Sequence, residues 1–175
     1  IGLFDYGPRY WMIGEVEPLK ALQNPVTREP VIARILKEYP ARKLLMGEII
    51  YRLRRNPEDP MDPSEYDTAP AEYLGKARLD SDLLPVLYCS QDIEGCVHEC
   101  RVTVEDELFL ATLKPTRDLN LLDLTELLRE DVTEFESLDI AVHMLFFAAD
   151  HSYDITRAIA QAASLAGFDG LIYPS

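Results

Sequence analysis

The sequence predicts an α+β fold, and three observations lead to this prediction. Several segments carry apolar residues three and four positions apart, which is typical of helices with one buried face. Other segments are short apolar or alternating runs, which are typical of strands. The two kinds of segment do not alternate regularly, as a doubly wound sheet would require. We therefore expect one curved or split, antiparallel-rich sheet with helices packed against it.

The length and composition are those of a globular protein. The chain has 175 residues, 47% of them apolar, which is enough to bury a core. It begins at Ile1 and stops at Ser175 directly after an apolar run, and we expect it to be a piece of a longer protein. Neither a signal peptide nor an apolar run of 18 residues is evident, which favours a cytoplasmic protein without a membrane partner.

Charge is distributed unevenly along the chain. Residues 1–55 contain 10 Lys and Arg against 6 Asp and Glu, whereas residues 56–175 contain 7 against 25, and the net charge is −14. This excess of acids argues against nucleic acid as a direct partner.

Residues 1–45 are predicted to be a helical extension and residues 46–175 the main domain. We expect this domain to be truncated at its C-terminal end. Four apolar residues of the extension have helical spacing before Pro40 ends the helix: Val31, Ile32, Ile35 and Leu36. We expect the extension to pack on the domain or on another subunit, outside the substrate pocket.

Three segments follow in the first part of the main domain. Residues 49–54 alternate in polarity and begin with β-prone side chains, which predicts a strand. Residues 56–74 contain four prolines among acidic residues, which predicts a long irregular loop, and such loops are often functional. Residues 85–89 form a short apolar run, which predicts a buried strand.

A helix is predicted to begin at Ser90 or Asp92, followed by two strands. Its apolar stripe recurs at intervals of three and four, through Ile93, Cys96, Val97 and Cys100. Residues 108–113 and 119–124 are short segments rich in apolar residues, and each has the length of a strand.

The last elements are two helices and a strand. Residues 138–149 are almost wholly apolar, so this helix is expected to be buried on most sides. Residues 153–166 have one apolar face and end before Gly167, a common helix stop. Residues 171–174 form the closing strand.

The cysteines and histidines do not suggest a metal site. Cys89, Cys96 and Cys100 are an odd number within twelve positions, and the last two share a helix face, so core packing is expected. The three histidines have no ligand spacing to one another. We expect no metal.

Three residues are candidates for chemistry, although each alone reads as an ordinary surface or turn residue. Glu99 lies about 110° from the centre of the apolar stripe of its helix, at the boundary between core and solvent. Arg78 precedes the 85–89 segment. Acidic residues close to Arg78 in the sequence could simply form an ion pair with it. Ser175 follows the closing strand, without the Gly-x-Ser-x-Gly elbow of a hydrolase.

The combined order of short motifs resembles the RES domain, a family named for an Arg, a Glu and a Ser. In chain order the motifs are Tyr-Arg, Gly-x-x-Arg, Pro-Val-Leu-Tyr-x-Ser, His-Glu-Cys-Arg, Leu-Asp-Leu-Thr and Gly-Phe-Asp-Gly-Leu-Ile-Tyr-Pro-Ser. The resemblance covers about residues 49–175. Known members look like bacterial ADP-ribosyltransferase toxins in fold. Several are toxins of toxin–antitoxin pairs that consume NAD+ by phosphorolysis or hydrolysis, and some relatives modify proteins.

The resemblance assigns the site residues. It implies catalytic roles for Arg78, Glu99 and Ser175, and an NAD+-binding role for three further residues, Tyr51, Arg52 and Tyr88. It also implies NAD+ as the substrate, with inorganic phosphate and a cognate antitoxin protein as candidate partners.

Two positions depart from the family pattern. Ala77 stands directly before Arg78, where the family often has Gly, and Asp80 stands where Asn is common. Arg52 could therefore share the role of Arg78.

These residue types suit cleavage of the nicotinamide–ribose bond. The ribose acquires oxocarbenium character as the bond breaks, and the carboxylate of Glu99 would stabilise that charge. Arg offers planar, bidentate donors to the pyrophosphate, a tyrosine ring can pack on nicotinamide, and the Ser175 hydroxyl can orient the ribose or the amide.

Two alternatives remain open. The first is a protein ADP-ribosyltransferase, for which the loop 56–74 could supply a target-recognition surface. The second is a non-catalytic interaction module on the same fold, against which the joint presence of Arg, Glu and Ser argues.

Overall fold

The α+β prediction is confirmed by the structure, a computed structural model that describes residues 16–100, 103–148 and 150–174. The backbone alone is described at Ala71, His98, Glu99 and Asp150. The α-helices in this part of the chain are α1 (Glu17–Gln23), α2 (Arg28–Glu38), α3 (Ile93–Glu99), α4 (Leu138–Phe147) and α5 (Tyr153–Leu165). The strands there are β1 (Ala41–Leu44), β2 (Ile50–Arg55), β3 (Leu108–Leu113), β4 (Leu119–Asp123) and β5 (Gly170–Ile172).

The chain divides into two compact units. Within the described ranges, the first unit contains residues 16–43, 77–79 and 120–174, and the second contains residues 44–76 and 80–119. The short segment 77–79, which carries Arg78, therefore belongs with the N-terminal helices and the last third of the chain.

The first unit is built on a three-stranded sheet in the order β1-β4-β5. β4 pairs with β5 in parallel, and α4 and α5 lie between the two strands in the sequence, as a parallel crossover requires. The fully buried apolar side chains of this unit come from helices and from the sheet, and they include Leu19, Leu22, Ile35, Leu122, Leu138, Leu145 and Ile159.

The helical part of the N-terminal extension packs on this unit. α1 contacts α4 and α2 contacts α5. The Tyr39 hydroxyl donates to Asp139 Oδ1 at 3.1 Å, and Arg28 pairs with Asp154 at 2.8 Å. The predicted helical character is thus found over α1 and α2, and residues 1–15 lie outside the described residues. The domain boundary at residue 45 stays a prediction.

One piece of the extension is a strand rather than a helix. β1 follows Pro40, which ends α2, and it joins the sheet beside β4. The backbone N–H of Asp123 donates to the Pro40 carbonyl at 2.9 Å. The local sequence of β1 is polar and lacks the alternation of a half-buried strand, so its pairing with a distant strand decides its conformation.

The second unit is built on the antiparallel pair β2–β3, with Arg52 opposite Ala111, and α3 packs against β2. The predicted strand at 85–89 is wrong: the segment is irregular, and isolated bridges form on either side of it, between Ser81 and Leu84 and between Tyr51 and Ser90. Pro85 has no N–H to donate to a ladder. The predicted strands at 49–54 and 108–113 pair with each other, whereas 171–174 contributes to the other sheet.

No helix among the described residues is long and apolar enough to cross a membrane.

Candidate active site

Arg52 lies at the centre of β2 and is only 8% exposed. Its Nη1 donates to the Tyr88 carbonyl at 3.1 Å, and its Nη2 donates to the Asp67 carbonyl at 2.7 Å. One guanidinium group thus ties two irregular segments to the strand, the 85–90 segment and the loop 56–74. Because both acceptors are neutral carbonyls, neither of these bonds pairs the positive charge of Arg52 with an anion.

Arg54 lies on the same face of β2, since side chains two apart on a strand point the same way. Its Nη2 lies 3.3 Å from Glu65 Oε2. The Nε atoms of Arg52 and Arg54 are both buried, and neither has a hydrogen-bond partner among the described residues. Burial lowers the pKa of Arg52, and the positive charge of Arg54 lowers this pKa further. An anion at this face would supply acceptors and offset the cost of burying cationic donors.

The two candidate tyrosines lie next to this face. Tyr51 precedes Arg52 on β2 and exchanges two backbone hydrogen bonds with Ser90, at 2.7 and 2.9 Å. Tyr88 comes two residues before Ser90, and its carbonyl holds Arg52. Both tyrosines are half-buried. The structure therefore brings together the three residues assigned to NAD+ binding, Tyr51, Arg52 and Tyr88.

Glu99 is the last residue of α3, whose start is fixed by Asp92. Asp92 accepts hydrogen bonds from the backbone N–H groups of Glu94 and Gly95, at 3.3 and 3.1 Å, which satisfies donors at the helix N-terminus. The Cys96 thiol donates to the Tyr51 carbonyl at 3.5 Å, which fixes α3 against β2. The backbone of Glu99 is helical, and its side chain lies outside the described part of the structure.

A cavity of about 350 Å³ lies beside the end of α3. It is lined by Leu53, Arg54, Arg55, Asn56, Cys100 and Asp106. The carboxylate of Asp106 in this lining is engaged by Thr103 and Asn56 and lies 3.7 Å from Arg55. Since Cys100 directly follows Glu99, this cavity connects the end of the Glu99 helix with Arg54.

Two cysteines of this unit, Cys89 and Cys96, are poor nucleophiles. Burial raises the pKa of Cys89 to about 11, and burial also raises the pKa of Cys96. Both are therefore neutral thiols near pH 7, whereas a nucleophilic cysteine needs thiolate character. No group of three metal-ligating side chains is found among the residues that the structure describes.

Arg78 belongs to the first unit, where it closes the C-terminus of α4. Its Nη1 donates to the carbonyls of Phe146 and Ala148, at 2.6 and 3.3 Å. Carbonyls in the last turn of a helix have no partner within the helix and carry partial negative charge, so a guanidinium group is favourable there. Arg78 has a clear structural role at this position. Its convergence with Arg52, Tyr88 and Glu99 stays a prediction.

The closing strand leads from this region towards Ser175. The ring of Tyr173 stacks on Phe146 with centroids 5.3 Å apart and an interplanar angle of 23°. The residues just before Ser175 are thereby joined to the end of α4. Ser175 itself lies outside the described residues, and its predicted role is unchanged.

Sequence reasoning missed Arg54 as a member of the site. The signal was present, because Arg52 and Arg54 are two apart on a predicted strand and must share a face. Glu65, the partner of Arg54, lies in the irregular loop, where no periodicity predicts which side chain turns towards the strand.

Comparison with known proteins gives one finding. The family model of the RES domain matches residues 49–175, which is more than half of the chain. No curated protein and no solved structure matches the chain significantly. The match spans the strand of Arg52, the segment of Arg78 and the helix of Glu99, and on this basis the chain belongs to the RES domain family.

Proposed function

We propose that this protein is an NAD+-consuming enzyme that cleaves the nicotinamide–ribose N-glycosidic bond by phosphorolysis or hydrolysis. In the cell it would act in the cytoplasm, as the toxin of a toxin–antitoxin pair or as a related defence effector. Membership of the RES family supports an NAD+-related role, and the chemistry of the site supports this particular substrate.

The observation that carries the proposal is the pair of arginines on one face of β2, of which Arg52 is buried and Arg54 is half-buried. Arg52 and Arg54 each present a buried Nε–H without a partner among the described residues, and the helix of Glu99 packs on the same strand. A pyrophosphate would supply the missing acceptors, since its charged oxygens match the planar donors of Arg. A ligand with a pyrophosphate beside a reactive sugar fits these two cations together with Glu99, whose predicted task is at the sugar.

The reaction assigns each residue one task. As the bond between nicotinamide and ribose C1 breaks, nicotinamide leaves with the electron pair as a neutral molecule, so it needs no general acid. The Glu99 carboxylate stabilises the positive charge that develops on the ribose. An oxygen of water or phosphate then bonds to C1, and water loses its proton to solvent. A tyrosine ring holds nicotinamide, while Arg78 and Ser175 help to orient the dinucleotide.

The first test is nicotinamide release from NAD+ by the purified protein and by Glu99→Gln. The substitution keeps the size of the side chain but removes its charge, and we expect NAD+ turnover to fall by more than about tenfold with the fold intact. Loss of an oriented electrostatic group commonly costs roughly 3–4 kcal/mol in the transition state. Glu94→Gln is the matched control, because Glu94 is an exposed residue in the first turn of the same helix.

Two results would contradict the proposal. Full activity in Glu99→Gln would remove Glu99 from the mechanism. Absence of nicotinamide release by the wild-type protein, with and without phosphate, would reject NAD+ cleavage altogether.

A protein ADP-ribosyltransferase is the second candidate, and one observation favours it. The acidic loop 56–74 is anchored by Arg52 and Arg54 at Asp67 and Glu65, yet it presents Met61 with 86% of its surface exposed. An anchored loop with an exposed apolar side chain can contact a protein target. Identifying where ADP-ribose goes, with phosphate present and with candidate proteins present, separates the two enzymes.

A further inference from the structure

Residues 77–79, which include Arg78, form a bend without regular secondary structure, and side chains of α5 hold its backbone. The Thr156 hydroxyl donates to the Arg78 carbonyl at 2.6 Å. The guanidinium group of Arg157 donates to the Ala77 carbonyl twice, from Nε at 3.0 Å and from Nη2 at 2.7 Å. Thr156 is fully buried, at 0% exposure, so water does not compete with the Arg78 carbonyl for the hydrogen bond of its hydroxyl.

The side chain of Arg78 is held as closely as its backbone. Its guanidinium carbon lies 5.4 Å from the centroid of Tyr153 and 5.9 Å from that of Phe146. The guanidinium carbon of Arg157 lies 5.6 Å from the centroid of the same Tyr153 ring. Tyr153 and Arg157 are four apart on α5, a spacing at which side chains are neighbours. Cation–π contact favours both guanidinium groups at these distances. Arg78 is thus fixed by two rings, by the α4 carbonyls and by its own backbone.

Residues 77–79 belong to no helix or strand, and the contacts with Thr156 and Arg157 help to define the position of their backbone. We propose that Tyr153, Thr156 and Arg157, on the first two turns of α5, are positioning residues that set the guanidinium group of Arg78 for ligand binding. This inference rests on the proposed function, in which Arg78 contributes to binding the dinucleotide. None of the three residues needs to touch the substrate.

Thr156→Val is the sharpest perturbation, because it removes the hydroxyl and keeps the branched shape of the side chain. If Arg78 helps to bind the dinucleotide in the ground state and in the transition state alike, its displacement raises KM and spares kcat. We expect KM for NAD+ to rise by at least about threefold, with kcat changed by less than about twofold. Thr156→Ser restores the hydroxyl and should restore KM.

Two controls show whether the effect passes through Arg78. In an Arg78→Ala background, Thr156→Val should change KM by less than about 1.5-fold, because residues that act through one group are not additive. Thr133→Val makes the same chemical change at an exposed residue of the same unit and should leave KM unchanged. A KM for Thr156→Val equal to that of the wild type, or an equal rise in the Arg78→Ala background, would overturn the inference.

A readout without turnover separates this inference from the proposed function. In ¹H–¹⁵N spectra of the full chain, the Nε–H signal of Arg78, assigned by its loss in Arg78→Lys, should be displaced by the rings of Phe146 and Tyr153. It should move in Thr156→Val and return in Thr156→Ser. An unmoved signal would overturn the positioning role even in an active enzyme. A shifted signal in a protein that does not release nicotinamide would support the positioning role while rejecting NAD+ cleavage.

Discussion

Replacing Glu130 by Gln should destabilise the protein through the N-terminus of α4. The Glu130 carboxylate lies in the loop before the helix and accepts hydrogen bonds from the backbone N–H groups of Leu138 and Asp139, at 3.0 and 3.1 Å. It also accepts one from the Ser137 hydroxyl at 2.8 Å, and the Ser137 oxygen in turn accepts from the Ile140 N–H at 3.1 Å. A single carboxylate thus satisfies two of the four N–H groups that a helix leaves unpaired at its start.

The magnitude follows from the number and type of these bonds. Gln keeps one acceptor oxygen but turns an NH₂ group towards donors, and it loses the favourable charge at the positive end of the helix dipole. The dipole contribution is about 0.3–1 kcal/mol, and a hydrogen bond to a charged group contributes roughly 1.5–3 kcal/mol. With partial relaxation, we expect a loss of about 2 kcal/mol. For a chain of this size that lowers Tm by roughly 4–8 °C.

The pH dependence gives a second test of the same carboxylate. Burial raises the pKa of Glu130, but hydrogen bonds from Asp139, Leu138 and Ser137 and the charge of Arg34 outweigh it, so its pKa is lowered. A carboxyl group with a lowered pKa in the folded state contributes stability that is fully present above its unfolded pKa, about 4.3. That contribution is lost as the pH falls through the lower folded pKa. The Tm difference between wild type and Glu130→Gln should therefore be constant near pH 7 and shrink in acid.

Thermal unfolding monitored by circular dichroism at pH 7 and at several pH values below 4.5 measures both effects. Glu134→Gln, an exposed change of the same charge in the same loop, should shift Tm by less than about 1 °C. An unchanged Tm in Glu130→Gln at pH 7, or a Tm difference that persists undiminished in acid, would show that the carboxylate does not stabilise α4 as argued.

Two further predictions concern the second unit. Glu65→Gln removes the carboxylate that lies 3.3 Å from Arg54 and that would compete with an anionic ligand. We therefore expect KM for NAD+ to fall by roughly two- to fivefold, the range that a partly exposed ion pair allows. A higher KM in steady-state kinetics would contradict this prediction. The pKa of Cys89 is raised to about 11, so Cys89 should react with iodoacetamide more slowly at pH 7.5 than a cysteine in a model peptide. The rate, measured by mass-spectrometric labelling, should keep rising towards pH 11. A plateau near pH 8.5 would show an ordinary thiol.

The sequence predicted those elements whose determinants are local. The start of α3 was predicted from Asp92 and the apolar stripe, because capping and helical periodicity both act within a few residues. β3 was predicted with its observed bounds because five apolar residues and one threonine form a run of strand length. α4 and α5 were found to within two residues at each end, since their apolar faces are long and end at capping residues.

Elements that depend on distant partners were not predictable in this way. β1 is polar and forms because β4 pairs with it, and the 85–89 run stays irregular although its composition is β-prone. The same limit applies to the site. Alternation along β2 could have predicted Arg54, but nothing near Arg78 in the sequence shows that its guanidinium group closes a helix about 70 positions later. Hydrogen-bond partners so far apart are set by tertiary packing alone.

The contacts at the two ends of α4 distinguish Arg78, the residue that the resemblance assigns to the family's Arg, from the arginines of β2. The negatively charged Glu130 lies at the positive N-terminus of this helix, and the positively charged Arg78 lies at its negative C-terminus, as the helix dipole favours at both ends. One edge of Arg78 is therefore committed to backbone carbonyls, and loss of activity on its replacement would combine loss of a helix cap with loss of a ligand contact. The Nε–H groups of Arg52 and Arg54 have no acceptor among the described residues. Among the described residues, the unmet demand of buried Arg N–H groups for an acceptor thus lies on β2, whereas Arg78 combines its contact with the end of α4 with the ligand contact proposed for it.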